Sequence, residues 1–420
     1  TNLMKKTLLP FLYCLLALGS CSEQSSGTME SATENTPSRQ DLVETIESST
    51  GHKDKTFASP WSVTKTVLKG GKQEGVELIT LDNGKLRIAV IPARGMGILD
   101  VRMGDIRLGW DSPVKEVVHP SFVDLESRGG LGWLEGFNEW MVRCGLEFAG
   151  HPGMDEFINN TGDTATLNLS LHGKIQNIPA SDYEVVVDEE PPHRIRIRGK
   201  VYEKFFYGPK FKLVTEISTT PGSNTFQISD RLTNEGSFPQ EFQLIYHGNY
   251  GSSILEEGAM VYAPAKSVTP MNEHAAKGIA KWREYAGPTP GFTEEVYLLE
   301  PLSDANSRAL AFLANASGDQ ATSVRWNVTE LPYLTIWKNT ASEEDGYVTG
   351  IEPATSYPFN RKVERKYGRV PRLAPGDIRS FTLDFGIHLG KESVDGLIAE
   401  ATQSQISAKI VINSEPPATE

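Results

Sequence analysis

From residue 75 onward the chain alternates apolar and polar positions with a period of two, broken at short intervals by turn residues. VELITL at 76–81 runs into Asp82-Asn83-Gly84, LRIAVIP at 86–92 into a Gly-rich bend at 95–97, and ILDVRM at 98–103 turns at Gly104-Asp105 into IRLGW. Successive side chains of a strand point to opposite faces, and Asn-Gly between two such runs is a strong hairpin signal. Leu86, Ile88 and Val90 therefore share a core-facing side, with Lys85, Arg87 and Ala89 on the other. Similar runs recur at 165–171, 184–187, 194–201, 211–218, 225–233, 241–246 and 379–388, and long helical periods are scarce. The pattern predicts an all-β chain, a large antiparallel β-sandwich with its loops gathered at the rims.

Composition fits that reading and removes some functions. The 38 Gly and 25 Pro suit a turn-rich chain. A formal net charge of −13, with no basic block to offset it, argues against nucleic-acid binding by phosphate neutralisation. Cys14, Cys21 and Cys144 are too few for a disulfide framework, and Cys144 is expected to be inert packing.

The N-terminus reads as an address. Met4, Lys5 and Lys6 are followed by an apolar run from Leu8 to Leu18 and then by Leu-Gly-Ser-Cys at 18–21. A charged start, an apolar stretch of about 7–15 residues and small residues before a cut site make a secretory signal. The run is shorter than the ~20 residues a spanning helix needs. Its ending resembles a bacterial lipobox, in which Cys21 receives the lipid; the alternative is an ordinary cut site. The expected plan is a signal at 1–21, a flexible Ser/Thr/Glu-rich tether at 22–55, a sandwich domain at 56–392 and a C-terminal tail at 393–420. Within the tail, AKIVIN at 408–413 is a candidate extra strand. The expected location is the bacterial cell envelope, facing the periplasm or at the cell surface, with membrane contact through the lipid anchor only.

Three segments place titratable groups beside turn residues: Leu-His-Gly at 171–173, Tyr-His-Gly-Asn-Tyr-Gly at 246–251, and Gly-Ile-Glu-Pro at 350–353. Gly or Pro follows each ionisable residue, which predicts that His172, His247 and Glu352 sit at a sheet rim rather than within a ladder. A carboxylate and two imidazoles on rigid strand ends suit general acid–base chemistry, and His titrates close to neutral pH. Each also has a plainer reading, as a structural His at a strand end or an ordinary Glu before Pro. Two His and a carboxylate match a metal facial triad as well, but the wide separation of His172 and His247 has no ligand spacing.

The order strand–His-Gly, strand–Tyr-His and Gly-Ile-Glu-Pro resembles the galactose mutarotase (aldose 1-epimerase) superfamily. VELITLDNGKLRIAVIPARGMGILDVRMGDIRLGW looks like that family's opening hairpins, and ISDRLTNEGSFPQEFQLIYHGNYG like the strand leading to its catalytic His. Over about residues 60–390 the chain is similar to an outlying, DUF4432-like bacterial branch. The resemblance implies a β-supersandwich with a carbohydrate cleft across one sheet and a reaction that uses no metal or redox cofactor. It implies Glu352 as general base on the anomeric hydroxyl, His247 as general acid on the ring oxygen, and His172 as a sugar-polarising partner.

Departures from the family pattern fall on the binding side. The Asn-Arg pair that usually precedes the first His has Arg143 as its nearest candidate, with Arg128 as a rival. Asp304 and Asp345 are candidates for a substrate-binding Asp. His-Gly-Asn-Tyr replaces the usual His-Pro-Tyr-Phe, which makes Asn249 a candidate contact. The segment 128–155 interleaves glycines with Trp133, Phe137 and Trp140 and with Glu135, Asn138, Glu139 and Arg143. Aromatic rings stack on sugar faces while polar groups bind hydroxyls, so Trp133, Glu135, Asn138 and Arg143 are candidate substrate ligands. The segment reads equally as a connector whose Trp residues plug the sandwich rim. Trp337 and Asn339 are similar candidates ahead of the Glu352 turn.

The expected function is an aldose 1-epimerase-like isomerase acting on a monosaccharide or modified sugar. The alternatives are a non-catalytic carbohydrate-binding lipoprotein and, with Tyr246, Tyr250 or Glu135 taking part, a polysaccharide lyase or hydrolase.

Overall fold

The structure, a computed structural model, describes residues 59–406 and 408–419, together with the backbone of 43–50. The signal, Cys21 and most of the tether lie outside the described residues. Strands dominate, as the period-two pattern predicts, and the compact unit spans Leu42–Glu420.

Among the described residues the strands gather into a thirteen-stranded sheet, an eight-stranded sheet and two short two-stranded ribbons. The opening hairpins form as expected: Glu77–Asp82 pairs antiparallel with Arg87–Ile91, which pairs with Gly97–Met103. They lead across the large sheet through Met141–Leu146, Gln243–Tyr250, Val348–Ala354, Tyr333–Asn339 and Glu295–Pro301, each antiparallel to the next. The eight-stranded sheet is built round Lys210–Thr219, Thr225–Asn234 and Ile378–Leu389.

The inner faces of the two sheets close on one apolar core. Trp140, before the Met141 strand, meets Phe226 and Phe385 of the smaller sheet at ring-centroid distances of 5.5 and 5.1 Å. Tyr246 reaches Phe381 at 6.4 Å. A separate apolar cluster containing Trp110, Trp133, Phe137, Val142, Cys144 and Ile245 covers the other face of the large sheet. Alternation along single strands divides these layers. Met141 belongs to the core between the sheets while Val142 and Cys144 belong to the outer cluster, and Ile336 is in the core while Trp337 packs on the outer face.

Two segments differ from expectation. Val43–Thr50, read as tether, pairs antiparallel with Ser62–Leu68 and adds an edge strand to the large sheet. The stretch after Leu389, read as a tail, carries a 16-residue helix, Lys391–Ile406. Val394, Leu397 and Ala401, spaced three and four apart, form its buried stripe against Leu310, Phe312 and Ala314. The stripe is only one small or medium side chain wide, which is why it is hard to see in the sequence. Beyond it, Val411–Ile412 within AKIVIN pairs parallel with Ser267–Val268.

Candidate active site

His247 and Glu352 lie on neighbouring antiparallel strands, Gln243–Tyr250 and Val348–Ala354, in the middle of the large sheet. His247 stands opposite Val142 in the ladder and Glu352 opposite Thr335. The expectation that both sit at a sheet rim is therefore wrong. Gly248 and Pro353 continue their strands, opposite Met141 and Leu334, instead of ending them. Only His172 is in a loop, and its backbone is left-handed at φ 60°. Its N–H donates to Gly150 O (2.8 Å) and its carbonyl accepts from Gly145 N (3.0 Å), so both ends of the residue are tied to the sheet side of the site. Gly173 must be glycine here: its φ is 73°, and a Cβ would collide with the carbonyl oxygens of Phe148 and Gly145.

The three side chains converge. His247 Nε2 is 3.3 Å from Glu352 Oε1, and the His172 and His247 rings are 5.4 Å apart, edge to face. Gly350 explains how the carboxylate fits. It lies two positions before Glu352 on the same face, and a Cβ there would occupy the space of the Glu352 carboxylate.

Above this floor is a cavity of about 310 Å³. Its roof comes from the Gly-rich segment, which is pinned from behind. Arg94 donates from Nε to Glu139 Oε1 (2.9 Å) and from Nη2 to Gly136 O (2.9 Å); Trp110 Nε1 donates to Glu139 O (3.1 Å) and Ser112 Oγ to Phe137 O (2.7 Å). These bonds set Trp133 4.7 Å from the His172 ring and Phe137 5.5 Å from the His247 ring. Trp337 closes another side at 5.5 Å from His247, its Nε1 donating to Glu294 Oε2 (2.7 Å).

Burial controls the charge of the site. It lowers the His247 pKa to about 4. It pushes His172 well below its ordinary value, helped by the neighbouring His247 and His151. It raises Glu352 well above the usual carboxylate range, with the nearby Glu294 adding to the effect. At neutral pH the carboxyl is thus driven toward its protonated form and both imidazoles toward neutrality. Among the described residues, Trp133 Nε1, His172 Nδ1, His247 Nδ1, Thr335 Oγ1 and Glu352 Oε1 lack a hydrogen-bond partner. Buried orphans of this kind cost about 1–3 kcal/mol each, and all five belong to residues lining one cavity.

The other candidates divide. Trp133 and Trp337 line the cavity with His172, His247 and Glu352. Arg143 does not: it lies in the core between the sheets, where it pairs with Asp230 and donates to Thr215 Oγ1 (2.6 Å) and Met96 O (3.1 Å). It faces inward because it has the strand parity opposite to Val142 and Cys144. Asn138 Nδ2 donates to Val114 O and Glu116 O (3.0 and 2.6 Å), Asn249 Nδ2 donates to Glu139 O and His247 O (3.1 and 3.2 Å), and Glu135 Oε1 accepts from Ser127 Oγ (2.6 Å). None of these four residues lines the cavity, nor do Arg128, Asp304, Asp345 or Asn339. Within the Gly-rich segment Trp133 and Phe137 face the cavity, while Trp140 fills the core between the sheets and not the rim.

Three polar lining residues escaped the sequence reading: His151, Glu294 and Thr335. Thr335 follows from Trp337 by the period of two. Glu294 becomes visible only once Val296 is known to pair with Trp337. His151 carries no strand signal at all.

Residues 73–387 match the family described as a domain of unknown function, DUF4432. The chain is 41% identical to a protein from Klebsiella pneumoniae subsp. pneumoniae MGH 78578 whose name, aldose 1-epimerase, is provisional. That crystal structure superposes with a TM-score of 0.83, covering 90% of this chain and 100% of the other. A galactose mutarotase-like protein from Clostridium acetobutylicum shares the fold at 15% identity and a TM-score of 0.53, over 78% of this chain and 98% of its own. No curated protein matches the chain. The fold is therefore galactose mutarotase-like, and because the family match takes in the strands and loop that carry all three converging side chains, the chain belongs to the DUF4432 family.

Proposed function

We propose that the protein is an aldose 1-epimerase-like isomerase, interconverting the anomers of a sugar by opening and reclosing its ring. The observation that carries this reading is the 3.3 Å approach of His247 Nε2 to Glu352 Oε1 beside a cavity they share with His172. The hydroxyl and ring oxygens of an anomeric centre are bonded to one carbon, so an acid and a base serving both must stand side by side.

In ring opening, one member of the pair takes the proton of the anomeric hydroxyl and the other protonates the ring oxygen. The bond between the anomeric carbon and the ring oxygen breaks, its electron pair leaving with that oxygen, and the former hydroxyl oxygen becomes the aldehyde carbonyl. Rotation about C1–C2 presents the other carbonyl face, and the reverse transfers close the ring. No electrons are gained or lost, and the pair ends with the one proton it began with. The pKa directions favour a start from neutral His247 and protonated Glu352. His247 then takes the proton of the anomeric hydroxyl and Glu352 gives its own proton to the ring oxygen, the reverse of the assignment implied by the family resemblance; ring closure uses the opposite roles. His172, neutral and beside His247, binds a sugar hydroxyl.

Polarimetry of freshly dissolved anomers tests this. Wild type should accelerate the approach to equilibrium and Glu352→Gln should not; equal rates for the two proteins across a broad sugar panel would refute it.

A non-catalytic sugar-binding protein is the second reading. It is favoured by the lack of any Arg, Asn or Asp among the described cavity-lining residues, since amide and guanidinium groups commonly orient sugar hydroxyls. Sugar affinity unchanged by Glu352→Gln, with no turnover by either protein, would support it. We further propose anchoring in the cell envelope through a lipid on Cys21. Palmitate labelling that is lost in Cys21→Ala supports it, and labelling that survives removes it.

A further inference from the structure

The chemistry of the cavity wall narrows the ligand. His247, Thr335 and Glu352 stand where the strands Gln243–Tyr250, Tyr333–Asn339 and Val348–Ala354 run side by side, with His172 and His151 beside them; Glu294 and the unpaired Trp133 Nε1 are further polar groups of the wall. The rest of the wall is largely hydrocarbon. Leu131 and Leu134 come from the roof segment, and Met271 and Val296 from a separate apolar cluster at the flank. Leu131 and Leu134 are among the more exposed large apolar residues, at 37% and 45%, so they present hydrocarbon to whatever enters. No Lys or Arg is among the described lining residues. The one carboxylate besides Glu352 is Glu294, which is exposed and held by the Trp337 indole. An anionic ligand would meet that carboxylate with no cation to offset it. The volume of about 310 Å³ is at the small end for ligand pockets and suits a single sugar unit.

We propose that the ligand is an uncharged aldopyranose with an apolar substituent at C5, that is, a 6-deoxyhexose, and that sugar acids and sugar phosphates are excluded. This rests on the isomerase reading for where the anomeric centre lies. With that centre at His247 and Glu352, the opposite edge of the pyranose must pack on the apolar wall. A methyl group packed on Leu131, Leu134, Met271 and Val296 is buried at no polar cost, whereas a hydroxymethyl group brings a hydroxyl for which those four side chains offer no partner. An apolar pocket rejects an added hydroxyl by at most about a hundredfold, so the preference is bounded.

The test uses galactose, its 6-deoxy analogue fucose of the same configuration, galacturonate and galactose 6-phosphate, with the corresponding four sugars of the glucose series. Anomer exchange is followed by NMR, and binding to Glu352→Gln by calorimetry. In at least one series the 6-deoxy sugar should exceed its parent in kcat/KM by about tenfold to a hundredfold, and the acid and phosphate should fall below the parent. Glu294→Gln should narrow the gap between acid and parent by about tenfold, as removal of one close charge in a partly screened site does. Parent sugars as good as their 6-deoxy analogues in both series, or acids as good as parents, would overturn the proposal while leaving the isomerase reading intact. Selective binding of the 6-deoxy sugar with no anomer exchange would do the opposite. If no sugar of the panel bound or reacted, both would fall.

Discussion

Two constellations of buried polar groups lie on opposite faces of the large sheet, joined by the strand Gln243–Tyr250 that gives Tyr246 to one and His247 to the other, and they are opposites. On the inner face, Arg143, Asp230, Thr215 and Tyr246 satisfy one another: Arg143 pairs with Asp230, and Tyr246 Oη donates to Asp230 Oδ2 at 2.7 Å. On the outer face, one residue along from Tyr246 and opposite Val142, His247 stands with Glu352 and His172 among orphaned donors and acceptors. The inner set ties two sheets together. Its Tyr246 phenol is held protonated by burial and the Asp230 charge, which makes it a structural group. The outer set is strained electrostatically: burial opposes charge on each of its three members. A satisfied buried network specifies structure, whereas an unsatisfied one next to a cavity is poised for a ligand.

The contrast can be broken most severely by exchanging function for stability at the two sites. Glu352→Gln should lower kcat for anomer exchange by about 10²–10⁴-fold, the usual share of a general acid–base group. It should not lower the melting temperature. Because the folded-state pKa of Glu352 is raised above its unfolded value, ionisation penalises the folded state as pH rises past 4.5. Melting scans should therefore show wild type losing ground to Glu352→Gln between pH 5 and pH 8. A variant less stable than wild type throughout that range would contradict the account of the outer site.

Arg143→Ala is the converse experiment. Removing one partner of a buried pair leaves the other charge uncompensated, at about 3–5 kcal/mol, so denaturant titration should show a large loss of stability. The triple replacement Arg143→Met, Asp230→Leu, Tyr246→Phe should recover most of it, and any folded protein should keep its KM for sugar. A KM effect in the stable triple variant would return Arg143 to the binding site.

Gly350→Ala should move the Glu352 carboxylate without deleting it, because the new Cβ takes its space. A displacement of about 1 Å in a catalytic group costs up to about 10²-fold in rate, and stability should fall much less than in Arg143→Ala. The mildest probe is pH. The reaction needs one proton on the pair; below the His247 value of about 4 a second proton binds and no base remains. kcat/KM should thus hold across the neutral range and fall on the acid side near pH 4. A limb near the ordinary His value of about 6.5 would mean that His247 is not desolvated as described.

The legible and illegible parts of the chain separate along a physical line. Period-two alternation and turn residues predicted the hairpins at 77–103 and the long strands at 195–234 because those segments bury one face. The helix Lys391–Ile406 was missed because its buried stripe is only Val394, Leu397 and Ala401. The three converging residues were picked out by motif, but their placement at a rim was wrong, because Gly248 and Pro353 were read as strand endings. Among the proposed ligands, Trp133 and Trp337 reach the cavity, while Asn138, Asn249 and Glu135 lie outside it, the amide nitrogens of the two Asn donating to backbone carbonyls and Glu135 accepting from Ser127.

What the sequence alone determined is parity: Tyr246 and His247 must face opposite ways, as must Val142 and Arg143, since a strand has only two sides. Which side met the second sheet and which lay beneath the Trp133–Phe137 roof was decided in three dimensions. That outcome depends on where Asp230 on the far sheet and Arg94 behind the roof find their partners, contacts between residues 87 and 45 positions apart. Local pattern carries no record of such pairings, so it could nominate Arg143 as a ligand while only the packed sandwich turned it inward.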